Sequence, residues 1–175
     1  MSSSKQNEFL TLYEPIHDRF ERFCRARVYG DMEYRDLMNE TLLIAFDKFD
    51  SLRSKDAFLS FLFGISVRVL SNNHQKKKEV QLIENGREEK TLNSIADGEA
   101  LTDVHFLYEA LAMLNEEQRE SIILFEISGF SIKEIATIQN STESSVKQRL
   151  RRGRIKLNSI LNFEADLTEK EVNHG

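Results

Sequence analysis

One proline and seven glycines are the strong turn formers of this 175-residue chain. That shortage constrains the fold more than any other feature. A β-sandwich needs a turn every dozen residues or so, and glycines at 30, 64, 86, 98, 129, 153 and 175 cannot supply them. Long stretches must run on as helix, and the apolar spacing agrees. Phe9, Leu12, Tyr13, Ile16, Phe20 and Phe23 recur at the steps of one helix face. Pro15 ends a short first piece or opens the next. Tyr34, Leu37, Met38, Thr41, Ala45 and Phe49 form a second stripe, and Asp50 to Lys55 reads as a loop. Asp56 is a candidate N-cap for a third helix carrying Phe58, Leu59, Phe61, Leu62, Ile65, Val69 and Leu70. That helix is expected to fade into the polar run Asn72 to Lys78.

The composition then shifts. Val80 to His105 holds six acidic and two basic residues, Gly86, Gly98 and little periodicity, as in a linker. Helicity resumes near Asp103 with Val104, Leu107, Leu111 and Leu114. Asn115 with Gln118 resembles a capping box, and Gly129 suits the position after a helix end. Ser131 with Glu134 is a second capping box, Asn140 can take a left-handed turn, and Thr142 caps a long last helix. From Glu164 onward the chain reads as a frayed acidic tail. The expected fold is all-α. Two small helical domains, residues 1–79 and 103–162, flank an acidic linker at 80–102 and precede a tail at 163–175.

Several function classes lack their residues. Cys24 is the single cysteine, so an internal disulfide is impossible and a reducing cytoplasm is the expected compartment. The start MSSSKQNEFL has no signal-peptide pattern, and the longest uncharged run, Ala57 to Val67, is far below the roughly 20 residues of a membrane span. No phosphate loop or HxxxH pair occurs, so no cofactor, metal, small-molecule substrate or enzymatic activity is expected.

The last third carries a sharper pattern. Ser131 to Leu157 has a short helix, a tight turn and a longer basic helix, the layout of a helix-turn-helix. Ala136 is small where the helices would cross, and Val146 and Leu150 face the core. Thr142, Ser144, Ser145, Lys147, Gln148, Arg149, Arg151 and Arg152 are the candidate DNA contacts. Gln and Arg can bond base edges, while Ser, Lys and further Arg suit phosphates. A solvated amphipathic helix closing a bundle is the plainer reading of the same residues. The net charge of −5 argues against a freestanding nucleic-acid binder, yet it conceals a segment, 143–161, of local charge +5. Such a chain should bind DNA weakly alone and well beside a partner that supplies further positive surface.

With that motif in place the chain resembles the extracytoplasmic-function (group 4) sigma factors of bacterial RNA polymerase over residues 8–161. Three stretches carry the resemblance. In residues 31–50, Asp36, Leu37, Asn39, Glu40, Thr41, Leu43, Ala45 and Phe46 match an acidic helix, with Asn39 in place of the usual Gln and Phe46 in place of Trp. The resemblance implies that Asp36, Leu37, Asn39 and Glu40 dock core polymerase. In residues 58–78, Phe58, Phe61, Leu62, Phe63 and Ile65 match the helix that melts and reads the downstream promoter element. It implies contacts there from Arg53, Lys55, Phe58, Phe61, Phe63, Arg68, Asn72, Gln75 and Lys76, with a flipped base held by the Asp50–Lys55 loop. Gly64 stands where a polar or basic residue is common. In residues 114–157, the helix-turn-helix matches the domain that reads the upstream element, with Ser141 and Gly153 departing from the pattern. Gly153 is expected to cost about 1 kcal/mol of helix propensity and soften the recognition helix. The implied partners are core RNA polymerase, promoter DNA and an anti-sigma factor. An ordinary DNA-binding regulator, an adaptor that binds only an anti-sigma factor, and a metal site at Asp36 and Glu40 are the competing readings.

Overall fold

The computed structural model describes residues 2–83 and 103–172, which are helical with no strand among them. In chain order the helices are α1 (Ser2–Tyr13), α2 (His17–Val28), α3 (Tyr34–Asp47), α4 (Phe58–Ile83), α5 (Asp103–Ala112), α6 (Glu116–Ile122), α7 (Ile132–Ile138) and α8 (Glu143–Val172). Residues 84–102, most of the expected acidic linker, lie outside the described residues.

Local chemistry sets most of the breaks. Pro15 sits in a 3-10 turn, Glu14–Ile16, where its missing N–H costs least. Gly30, at φ +80°, lets the chain reverse after α2. Asn115 accepts from the Gln118 N–H at 2.9 Å and starts α6. Ser131 and Glu134 form the reciprocal capping box, with bonds of 3.2 and 2.8 Å. Asn140 takes φ +48°, and the Thr142 hydroxyl accepts from the Ser145 N–H at 3.1 Å.

Four boundaries differ from the sequence expectation. The Asp50–Lys55 loop is bounded by two 3-10 turns, Phe49–Ser51 and Lys55–Ala57, so α4 starts at Phe58 instead of being capped by Asp56. α4 continues past its polar run to Ile83 because tertiary anchors hold that run: His74 pairs with Glu116 at 2.7 Å and Lys77 donates to the Asp31 carbonyl at 3.3 Å. α6 ends at Ile122 and passes into a π turn, Ile123–Ile127, before Gly129 at φ +73°. α8 runs on to Val172, through residues expected to fray, because Glu164, Ala165, Leu167, Glu169 and Lys170 are good helix formers.

The buried apolar residues of both halves join in one cluster. Phe9 meets Phe46, Phe49 and Phe58 edge-on, each at 5.4 Å between ring centres. Phe63 packs on Phe20 and Phe23 and, at 4.8 Å, on Phe130 from the second half. Burying each such ring contributes roughly 1.5–3 kcal/mol, so the halves share a core rather than merely touch.

Candidate nucleic-acid interface

α7 and α8 form the expected helix-turn-helix. Ile135, Ala136 and Ile138 on α7 are buried, as are Val146 and Leu150 on α8. That fixes the other face of α8 outward. Thr142, Ser144, Lys147, Gln148, Arg151 and Arg152 are exposed, while Ser145 is half-buried against the Thr142 hydroxyl at 2.9 Å. Lys147, Arg151 and Arg152 have no ion pair among the described residues.

Arg149 differs from its neighbours. It turns inward, donating to Gln139 Oε1 at 3.0 Å and Ser141 Oγ at 3.2 Å, and pairs with Glu117 at 3.2 Å. Ser141, where an apolar residue is usual, thereby serves as an acceptor that ties the turn to α8. Arg154 is held by Glu126 at 2.6 Å and lies over the Phe125 ring. Gly153 is buried where α8 crosses α6. A Cβ there would stand 2.7 Å from Ile122 Cδ1, so close approach of the helices explains the glycine.

On α3, Asp36, Asn39 and Glu40 are exposed together, whereas Leu37 points the other way and is fully buried. Leu43, seven residues after Asp36 on the same face, is 73% exposed and adds an apolar contact to that acidic surface.

The downstream candidates divide in the same manner. Arg53, Arg68, Asn72, Gln75 and Lys76 are exposed. Lys55 is exposed and pairs with Glu8 at 3.0 Å. Phe58 and Phe63 are buried in the aromatic core, and Phe61 is half-buried. The buried space at Gly64 is open to a Cβ, so packing does not demand a glycine there.

Sequence reasoning missed the charges between the two halves. Arg119 donates to Asp31 Oδ2 and to the carbonyls of Ala26 and Tyr29, each at 3.1 Å, capping the end of α2 with positive charge. Arg27 meets Glu120 at 3.4 Å, and Gln139 donates to Glu120 at 2.8 Å. Burial lowers the Arg119 pKa to about 10 and raises that of Glu120. A signal was available: Arg27 stands among Phe20, Phe23, Cys24 and Val28, and Arg119 stands three residues before Ile122. A charge on an apolar stripe demands a buried partner.

The sequence matches the family model for sigma-70, region 4, over residues 107–157, from within α5 to Leu157 of α8. The chain is 32% identical, over 126 residues, to the ECF RNA polymerase sigma factor EcfG of Rhodopseudomonas palustris, covering 72% of this chain and 70% of that protein. It belongs to the ECF sigma factors. The sigma factor is also 24% identical to SigX of Bacillus subtilis, covering 85% of this chain and 80% of that one. Among solved structures it is similar to the sigma factor RpoE of Bartonella quintana, determined with the anti-sigma factor NepR. That match has 28% identity and a TM-score of 0.73, and covers 93% of this chain and 98% of the other. CnrH, solved with the cytosolic domain of CnrY, shares the fold at 22% identity and a TM-score of 0.63, covering 90% and 89% of the two chains. No helix among the described residues of the sigma factor is long and apolar enough to cross a membrane.

Proposed function

We propose that this sigma factor directs bacterial core RNA polymerase to its promoters through three surfaces, and that it makes and breaks no bond itself. Residues 1–79 dock polymerase and engage the downstream element, residues 80–102 connect, and residues 103–162 read the upstream element, followed by the tail at 163–175. The observation that carries this reading is the capped helix-turn-helix that turns Ser144, Lys147, Gln148, Arg151 and Arg152 outward on one basic helix. Inserted in a major groove, Gln148 and Arg151 suit base edges, and Lys147, Arg152 and Ser144 suit phosphates.

Docking uses the Asp36–Asn39–Glu40 face of α3 with Leu43 as its apolar centre; acidic residues around one exposed leucine fit a basic, partly apolar helix. Leu37 supports that face from beneath. In the downstream contact, Arg53, Lys55, Arg68, Asn72, Gln75 and Lys76 track the displaced strand. Phe58 and Phe63 shape the scaffold, and half-buried Phe61 is the aromatic nearest to solvent. Work in the cytoplasm and control by an anti-sigma factor follow the same reading; NepR, bound to the RpoE relative, sets the partner class.

Run-off transcription with core polymerase tests this. With a promoter selected from a randomised library, the sigma factor should give discrete start sites. A transcript level no higher than core polymerase alone overturns the reading.

A further inference from the structure

The Asp50–Lys55 loop is clasped at both ends by α1. Lys5 Nζ donates to Asp50 Oδ2 at 2.7 Å, at the first residue of the loop. Lys55 Nζ, at the last, pairs with Glu8 Oε1 at 3.0 Å. Lys5 also lies over the Phe46 ring, 5.1 Å from its centre, so its ammonium is held from two sides. Between the clasps, Leu52, Arg53 and Ser54 join the two 3-10 turns. Apart from half-buried Leu52, every residue from Asp50 to Lys55 is exposed. Arg53 has no ion pair among the described residues.

The packing beneath explains why α1 reaches both ends. Phe9 is buried against Phe49, just before the loop, and against Phe58, just beyond it, each at 5.4 Å between ring centres. Phe49 and Phe58 also meet each other, at 6.1 Å. Three rings therefore close the mouth of the loop. Lys5 stands one turn before Phe9 on the same face of α1, and Glu8 adjoins Phe9, so both charges stand at that mouth. The side chains of Asp50 and Lys55 are 79% and 70% exposed, and pairs so exposed contribute little to folding. The rings hold the fold. What the pairs restrict is where the two ends of an exposed loop can lie.

We propose that Lys5 and Glu8 of α1 are positioning residues for the downstream element: together they fix where the ends of the Asp50–Lys55 loop stand, and so how strictly it selects the base it takes up. The inference rests on the assignment of that loop to the displaced strand. Charge supports the placement. Lys5 neutralises Asp50, whose carboxylate would otherwise repel the phosphates that Arg53 attracts. Glu8 holds the Lys55 ammonium at the edge of the loop, so Lys55 meets the strand from one place rather than from the many a free lysine samples. A base is selected by differences in contact, and a loop free to shift adjusts to the wrong base as well as the right one.

The test uses the full chain with core polymerase, and run-off transcription from the selected promoter and from its single-base variants in both elements. Lys5→Met with Glu8→Gln removes both clasps and leaves the net charge at −5, so general attraction to DNA is unchanged. Transcription from the best downstream base relative to the other three should fall roughly two- to tenfold, the range expected from two exposed pairs. Discrimination in the upstream element, core-polymerase affinity and the melting temperature should hold, which a general loss of structure would not allow. Lys5→Arg, which keeps the cation beside Asp50, should retain the downstream preference. An unchanged downstream preference in the double variant overturns the positioning role, as does an equal loss in both elements. No promoter-directed transcript from the unaltered protein overturns the functional reading instead, and the positioning role with it.

Discussion

Gly153 shows how one residue changes meaning in context. As a helix interior glycine it costs about 1 kcal/mol relative to Ala. In the structure it lets α8 approach α6 so closely that a Cβ would meet Ile122 Cδ1 at 2.7 Å. Gly153→Ala should therefore change stability little, because regained propensity offsets a shift of one methyl group. Gly153→Leu should lower it by roughly 1–3 kcal/mol in chemical denaturation, as overpacking does. Ser131→Ala should cost about 1 kcal/mol by removing the cap of α7. Its partner Glu134 titrates: the Ser131 N–H holds the Glu134 carboxyl below its usual 4.5. The stabilisation is full above 4.5 and is lost as pH falls through the lowered value. A pH series of melts should show that acid-side loss in the unaltered protein and less of it in Glu134→Gln. These caps were legible in the sequence because their partners lie three residues apart. The inward turn of Arg149 was not, because its acceptors Gln139, Ser141 and Glu117 come from other elements.

Among the elements, α3 and α8 present the surfaces whose roles can be separated. Asp36→Ala with Glu40→Ala removes two exposed carboxylates, so core-polymerase affinity should fall in a titration while the melting temperature stays within a degree or two. Arg151→Ala should weaken upstream DNA binding in the polymerase complex by about 1–3 kcal/mol, with the fold intact. Arg149→Ala should lower the melting temperature as well, since its guanidinium ties α6, the turn and α8 together. Helix stripes were readable from spacing alone, although the first is divided between α1 and α2, and Phe49 of the second lies in the 3-10 turn after α3. Helix ends were harder. The polar end of α4 offers no periodic apolar signal, and its order comes from His74 and Lys77 reaching other segments. At the start of α4, Asp56 carries the right chemistry for a cap, but the 3-10 turn Lys55–Ala57 takes that position.

At the scale of the molecule, a shared core couples the two halves. Phe130→Ala, which removes the ring against Phe63, should cost about 3–5 kcal/mol. Fluorescence probes placed in α1 and α8 should report one coincident unfolding transition before and after that change. Two separate transitions in the unaltered protein would show that the halves fold independently. The net charge of −5 likewise divides by place: the basic outward face of α8 is DNA-facing in the proposed role, while Glu116, Glu117 and Glu120 lie between the halves. The sequence by itself determined the all-α class, the order of the helices, the capped helix-turn-helix and the acidic face of α3. Each depends on residues within a few positions of one another, where helical period and cap chemistry decide. Only the tertiary structure decided which charges are buried, which aromatics are scaffold and how the halves meet. Those outcomes depend on partners about 90 residues apart, such as Arg27 with Glu120 and Arg119 with Asp31, for which local spacing carries no register.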